Sequence, residues 1–126
     1  MSNAAIAFVQ PSPILSIFDD EKAGEFYCHF LGFRLVWEHR LEPGLPLYAE
    51  FERAGLRLHL SGHHGDVCPG ATVFVRMTGL RAFQVEWVGK DYGFARPSIQ
   101  ELPWGLEMEM EITAPFGNRL RFYEEA

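Results

Sequence analysis

The chain has 126 residues, 48% of them apolar and 14% aromatic, with a formal net charge of −6. That length predicts one domain, residues 1–126, burying about two-thirds of the surface its unfolded chain exposes. No run approaches the ~20 apolar residues that cross a bilayer, and the absence of any basic run excludes a nucleic-acid partner. The two cysteines, Cys28 and Cys68, match no zinc spacing and predict reduced thiols in a cytoplasmic protein. Met1 to Gln10 carry neither a charged leader nor a sustained apolar run, so no secretory signal is expected.

Taken in chain order, Ala4 to Val9 are apolar and stand before a Pro11-Ser12-Pro13 break. Ile14 to Phe18 read as a short strand. Asp19 and Asp20 then supply a cap and first-turn carboxylates. Ala23, Phe26, Tyr27, Phe30 and Leu31 fall on one helical face, and Gly32 marks its end. Phe33 to His39 is a strand, and 42–46 a loop. Leu47 to Arg53 and Leu56 to Ser61 alternate about an Ala54-Gly55 turn. Residues 62–70 form a Gly/His/Asp/Pro boundary loop. Ala71 to Met77 is again a strand. Leu80, Phe83, Gln84, Trp87 and Val88 have helical spacing, and Tyr92 to Pro97 are irregular or weakly extended. Leu106 to Ile112 and Arg119 to Tyr123 then form a hairpin around the turn 114–118. Side chains alternate across a strand. So Leu106, Met108, Met110 and Ile112 oppose Glu107, Glu109 and Glu111, and Leu120 and Phe122 oppose Arg119 and Arg121. An odd loop length is required to bring both charged rows onto one face.

Each half therefore reads strand, helix, strand, strand, strand. The fold class is α+β: two βαβββ modules, residues 5–61 and 71–124, forming a curved mixed-sheet cup with the helices outside. If Leu56, Leu58 and Leu60 pack under the helices, then Arg57, His59 and Ser61 face the cavity. Tyr48 and Glu50 face it from the neighbouring strand, and Glu109 and Arg121 stand in the charged row of the last hairpin. Phe33, Trp37 and Trp104 lie outside the helical core stripe, either as walls for a ligand or as lids on a sheet edge. Phe26, Phe30, Phe83 and Trp87 have core spacing. His63, His64 and Asp66 include good metal ligands, but near-adjacent residues do not easily converge on one ion, so they read as a solvated loop. An acidic cavity with flat aromatic walls suits a cationic or aromatic small molecule, with cation–π contact worth about 2 kcal/mol when desolvated.

The turn Pro115-Phe116-Gly117-Asn118-Arg119-Leu120 resembles the closing motif of the vicinal-oxygen-chelate superfamily, which includes glyoxalase, extradiol dioxygenases and bleomycin-resistance proteins. Glu25 to Phe33 and Gly55 to Leu60 resemble that family's first helix and fourth strand. In its metal enzymes a glutamate ligand stands three residues after the asparagine; here that position is Arg121, which cannot bind a metal ion. The first strand offers Ile14 and Leu15, and the second half opens with Ala71-Thr72-Val73. His59 alone remains metal-competent, and a catalytic centre needs about three protein ligands. Metal ligands, cofactor and catalytic residues are therefore all expected to be absent. His59 reads as a groove-facing residue for packing or ligand hydrogen bonding. The resemblance runs closest to the bleomycin-resistance branch. It implies a metal-free protein that sequesters a bleomycin-family antibiotic, as a homodimer with exchanged N-terminal strands and sites at the subunit interface. The alternatives are a metal-dependent lyase, isomerase or dioxygenase of the same superfamily, which would need His59, Glu50 and another residue to rebuild a site, or a binder of another metabolite.

Overall fold

Two copies of one topology make up the protein. The computed structural model describes residues 5–90, 99–101 and 108–125. The first module runs β1 (Ile14–Ser16), α1 (Asp20–Gly24) continuing as a π-helical segment (Glu25–Phe30), β2 (Arg34–His39), β3 (Tyr48–Arg53) and β4 (Leu56–Ser61). The second runs β5 (Thr72–Arg76), α2 (Leu80–Val88), β6 (Gln100–Glu101), β7 (Met108–Thr113) and β8 (Arg119–Glu124). The sheet orders are β1-β4-β3-β2 and β5-β8-β7-β6. In both, the first strand lies parallel to the last, and the remaining pairs are antiparallel. The α+β class and the βαβββ repeat agree with the sequence reading. Strand ends differ by a residue or two, and Tyr92 to Pro97 lie outside the described residues.

The first helix starts where its cap predicts: the Asp19 carboxylate accepts the Lys22 amide hydrogen at 2.9 Å. From Glu25 it widens, and the Leu31 N–H reaches back five residues to the Phe26 carbonyl. A widened turn lets two adjacent pairs, Phe26-Tyr27 and Phe30-Leu31, all point inward, each at most 1% exposed. Gly32 ends the helix at φ +77, where a Cβ would also meet the Arg53 guanidinium at 2.5 Å. Left-handed backbone and a closely packed neighbour together demand glycine there. The helix α2 begins at Gly79 without a side-chain cap of its own. Glu124 at the end of β8 supplies one, accepting from the Gly79 and Leu80 amides at 3.1 and 2.9 Å.

Both hairpins hold the expected registers. The Ala54-Gly55 turn has positive φ at both residues, 49° and 91°, which matches the twist of a two-residue hairpin. In the second, Thr113 pairs with Arg119, so five loop residues intervene and both charged rows share a face. The apolar rows pack beneath the helices. Leu58, Leu60, Ala49 and Phe51 are buried with the first helix, and Met110, Ile112, Leu120 and Phe122 with α2. Phe30 and Trp87 stack at 5.6 Å and join the two halves of this core.

Among the described residues no backbone ladder joins the two sheets. The expected single curved sheet is thus built as two four-stranded sheets bridged by side chains. Asn118, fully buried, donates to the Ser16 carbonyl at 2.8 Å and accepts from the Ala71 amide at 3.3 Å. Burial pushes the neighbouring Tyr27 hydroxyl well above its ordinary range, and the Asn118 amide partly offsets this. On the helix side, Arg53 makes a two-pronged bond to Glu86 at 2.6 and 2.7 Å. That bond is the main cause holding the Glu86 carboxyl below its usual range. Replacing Asn118 by Ala strands the buried Ser16 carbonyl and the part-buried Ala71 amide, and should destabilise the protein by about 2–3 kcal/mol in urea unfolding.

Candidate functional site

The face of the first sheet turned away from the helices carries one hydrogen-bonded cluster. Glu50 on β3 lies opposite both Trp37 on β2 and His59 on β4. The His59 Nε2 is 3.0 Å from a Glu50 carboxylate oxygen, and its Nδ1 is 2.6 Å from the Tyr48 hydroxyl. Trp37 stacks on Tyr48, centroids 5.8 Å apart and planes 15° apart, and meets His59 edge to face at 5.5 Å. The Glu50 side chain is 10% exposed, whereas Trp37 is 41% exposed. A nearly buried carboxylate thus lies beside an accessible indole. Burial, then the charges of Asp66 and Glu50, push the Tyr48 hydroxyl above its ordinary range.

Ser61 is fully buried and donates its hydroxyl to Asp66 at 2.6 Å. It therefore anchors Asp66 rather than presenting a hydroxyl to the cavity. The Asp66 N–H closes a turn on the His63 carbonyl. So the His63-His64-Gly65-Asp66 loop enters the site through Asp66, a role that loop composition alone does not reveal. The only sequence signal was the carboxylate itself.

Phe33 corrects an expectation. It is 5% exposed within the hydrophobic core rather than at a strand edge. Its N–H bonds the Tyr27 carbonyl, which tucks the ring back under the helix just after Gly32. Trp104 lies outside the described residues. Glu109 and Arg121 form a second cluster on β7 and β8. Arg121 contacts Glu109 at 3.0 Å and Glu111 at 3.1 Å, and Arg119 stands 3.7 Å from Glu111. Two carboxylates there meet two guanidiniums, so the patch is close to neutral. Trp37, Tyr48, Glu50 and His59 are brought together directly, with Ser61 alongside through Asp66; Glu109 and Arg121 belong to the other sheet.

The donor set does not fit a divalent metal. Both His59 nitrogens already have partners. Ile14 stands beside His59 on the first strand, and Arg121 sits where a last-strand ligand would be needed. Among the described residues no three His, Cys, Asp or Glu side chains group to hold an ion. A surface cavity of about 490 Å³ lies elsewhere, between Phe18, Asp19 and Asp20 and the loop bearing Arg40, Leu45 and Pro46. Arg40 spans it, donating to Asp20 and to the Leu45 carbonyl. Among the described residues no helix is long and apolar enough to cross a membrane.

The family model for a glyoxalase superfamily protein matches residues 1–126, and the chain belongs to that superfamily. Comparison with curated proteins gives no match. Among solved structures, a bleomycin-binding protein complexed with bleomycin is similar at 20% identity and TM-score 0.72, over 94% of this chain and 100% of that one. The bleomycin-binding protein of Streptomyces verticillus, complexed with copper(II)-bleomycin, is 25% identical with TM-score 0.69, covering 94% and 97%. TnmS3, an antibiotic-binding protein from Streptomyces sp. CB03234, is 20% identical with TM-score 0.67, covering 97% and 100%.

The burial contrast between two aromatics is directly measurable. Phe33→Ala should cost about 3 kcal/mol of stability, and Trp37→Ala no more than about 1 kcal/mol, both by urea unfolding followed by circular dichroism.

Proposed function

We propose that the protein binds a bleomycin-type antibiotic stoichiometrically, without metal, and so protects a cell by sequestration. The Trp37–Tyr48–His59–Glu50 cluster carries this reading. It combines an exposed flat indole with a nearly buried carboxylate, and Asp66 adds a second negative charge. Such a face attracts a flat cation by stacking, cation–π contact and charge together. The net charge of −6 acts in the same direction at low salt. The similar solved structures that bind bleomycin or another antibiotic support the reading.

Titration calorimetry with copper-loaded bleomycin tests it. Binding near one equivalent per site is expected, weakened by about 1–3 kcal/mol in Trp37→Ala. Elemental analysis of the purified protein should find no stoichiometric zinc, nickel, iron or manganese. No binding, or one tightly held divalent ion lost on His59→Ala, would refute it.

The binding unit is further proposed to be a homodimer that exchanges its N-terminal segments. Ile6, Phe8 and Val9 are 88%, 94% and 92% exposed, so this apolar arm finds no cover among the described residues. The Pro11-Ser12-Pro13 break that follows suits the hinge of a swapped segment. Light scattering at micromolar concentration should give twice the 14.4 kDa chain mass. A monomer mass with ligand still bound would rule the shared site out.

A further inference from the structure

We infer that the chemical group recognised at the Trp37 face is a planar cation bearing N–H donors, of the amidinium or guanidinium class, and not a quaternary ammonium. This deepens the binding face assigned above and rests on it. The polarity of the hydrogen bonds decides the matter. An ionised carboxylate only accepts, so the hydrogen between Glu50 and His59 sits on Nε2. In a neutral ring Nδ1 then carries a lone pair, and the Tyr48 hydroxyl donates to it at 2.6 Å. The one phenolic hydrogen is thereby committed. What the Tyr48 oxygen keeps for a ligand is its acceptor capacity. Asp66 also accepts, taking the Ser61 hydroxyl hydrogen at 2.6 Å. Three neighbouring oxygen centres, on Tyr48, Glu50 and Asp66, thus offer acceptors and no donor. Arg57, the cation two residues along β4, lies across from Glu52, whose carboxylate bonds Arg34 at 2.9 Å.

Trp37 completes the selection. It is Glu50's cross-strand partner and leaves 41% of its surface accessible. A quaternary ammonium would gain cation–π attraction from the indole and little more. A planar N–H cation gains that attraction and adds charge-assisted hydrogen bonds to the acceptors beside it. A neutral amide lacks the charge that Glu50 requires.

The test is calorimetry on the full-length chain with three monophenyl probes of similar size: benzamidinium, trimethylphenylammonium and benzamide. Copper-loaded bleomycin is a separate arm. Benzamidinium should bind about tenfold tighter than trimethylphenylammonium, and benzamide weakest of all. Glu50→Gln should abolish the preference between the two cations, and Tyr48→Phe should reduce it about fivefold. Equal or tighter binding of trimethylphenylammonium overturns the inference, as does failure of all three probes to bind. Should Glu50→Gln fail to fold by circular dichroism, the probe ranking on the unmodified chain and the Tyr48→Phe arm still decide. Bleomycin bound without any benzamidinium preference would overturn this inference and leave the antibiotic reading standing. A benzamidinium preference without bleomycin binding would do the reverse.

Discussion

One buried amide, that of Asn118 in the second module, ties the two halves together at the backbone. Asn118 donates to the Ser16 carbonyl of the first module and accepts from the Ala71 amide at the start of the second. Neither backbone group belongs to a ladder between the sheets, so water or a side chain must satisfy it. Water is excluded at a residue with no exposed surface. The amide is suited to the task because it both donates and accepts, which neither a carboxylate nor an aliphatic residue of that size does. The Arg53–Glu86 bond secures the helix-side rim of the same junction, with Phe30 stacked on Trp87 between them.

With the modules so fixed, their repeated topology poses the same local problem twice. A groove-facing residue on the fourth strand lies across from a glutamate on the third. In the first module the pair is His59 and Glu50, and in the second it is Arg121 and Glu111. The chemistry then diverges. A guanidinium carries permanent charge, and Arg119 with Arg121 balances Glu109 and Glu111. His59 bonds its carboxylate without bringing a permanent cation to it, and Asp66 adds another carboxylate. One scaffold thereby yields a neutral ladder on one sheet and an acidic, aromatic face on the other. In the second arrangement Glu50 pairs with His59 and Asp66 with Ser61, and among the described residues neither pairs with a guanidinium.

Much of this was legible in the chain because period and spacing are local. Alternation in 106–112 and 119–123 specifies a hairpin with its charges on one face, and Tyr48, Glu50 and His59 follow from counting residues along two strands. What escaped is set by tertiary approach. Phe33 reads as a strand-edge aromatic until the left-handed turn at Gly32 folds it inward. The helix reads as regular α, although the consecutive Phe26-Tyr27 and Phe30-Leu31 pairs fit the core through a widened turn. Ser61 looks like a cavity hydroxyl until Asp66, five residues on, takes its hydrogen. Arg53 and Glu86 are 33 residues apart, and no local pattern pairs them.

The same contrast separates this cluster from a metal centre. A metal centre requires several donors aimed at one point with their lone pairs free. Here the lone pairs are engaged in a chain from Glu50 through His59 to Tyr48, which fixes each group's rotamer before any ligand arrives. Preorganisation of this kind lowers the ordering cost of binding. It also fixes hydrogen-bond direction, because a carboxylate at one end leaves the phenol at the other end only one way to donate. The chain of bonds ends beside Trp37 on the adjacent strand, which stacks on Tyr48 and keeps 41% of its surface accessible.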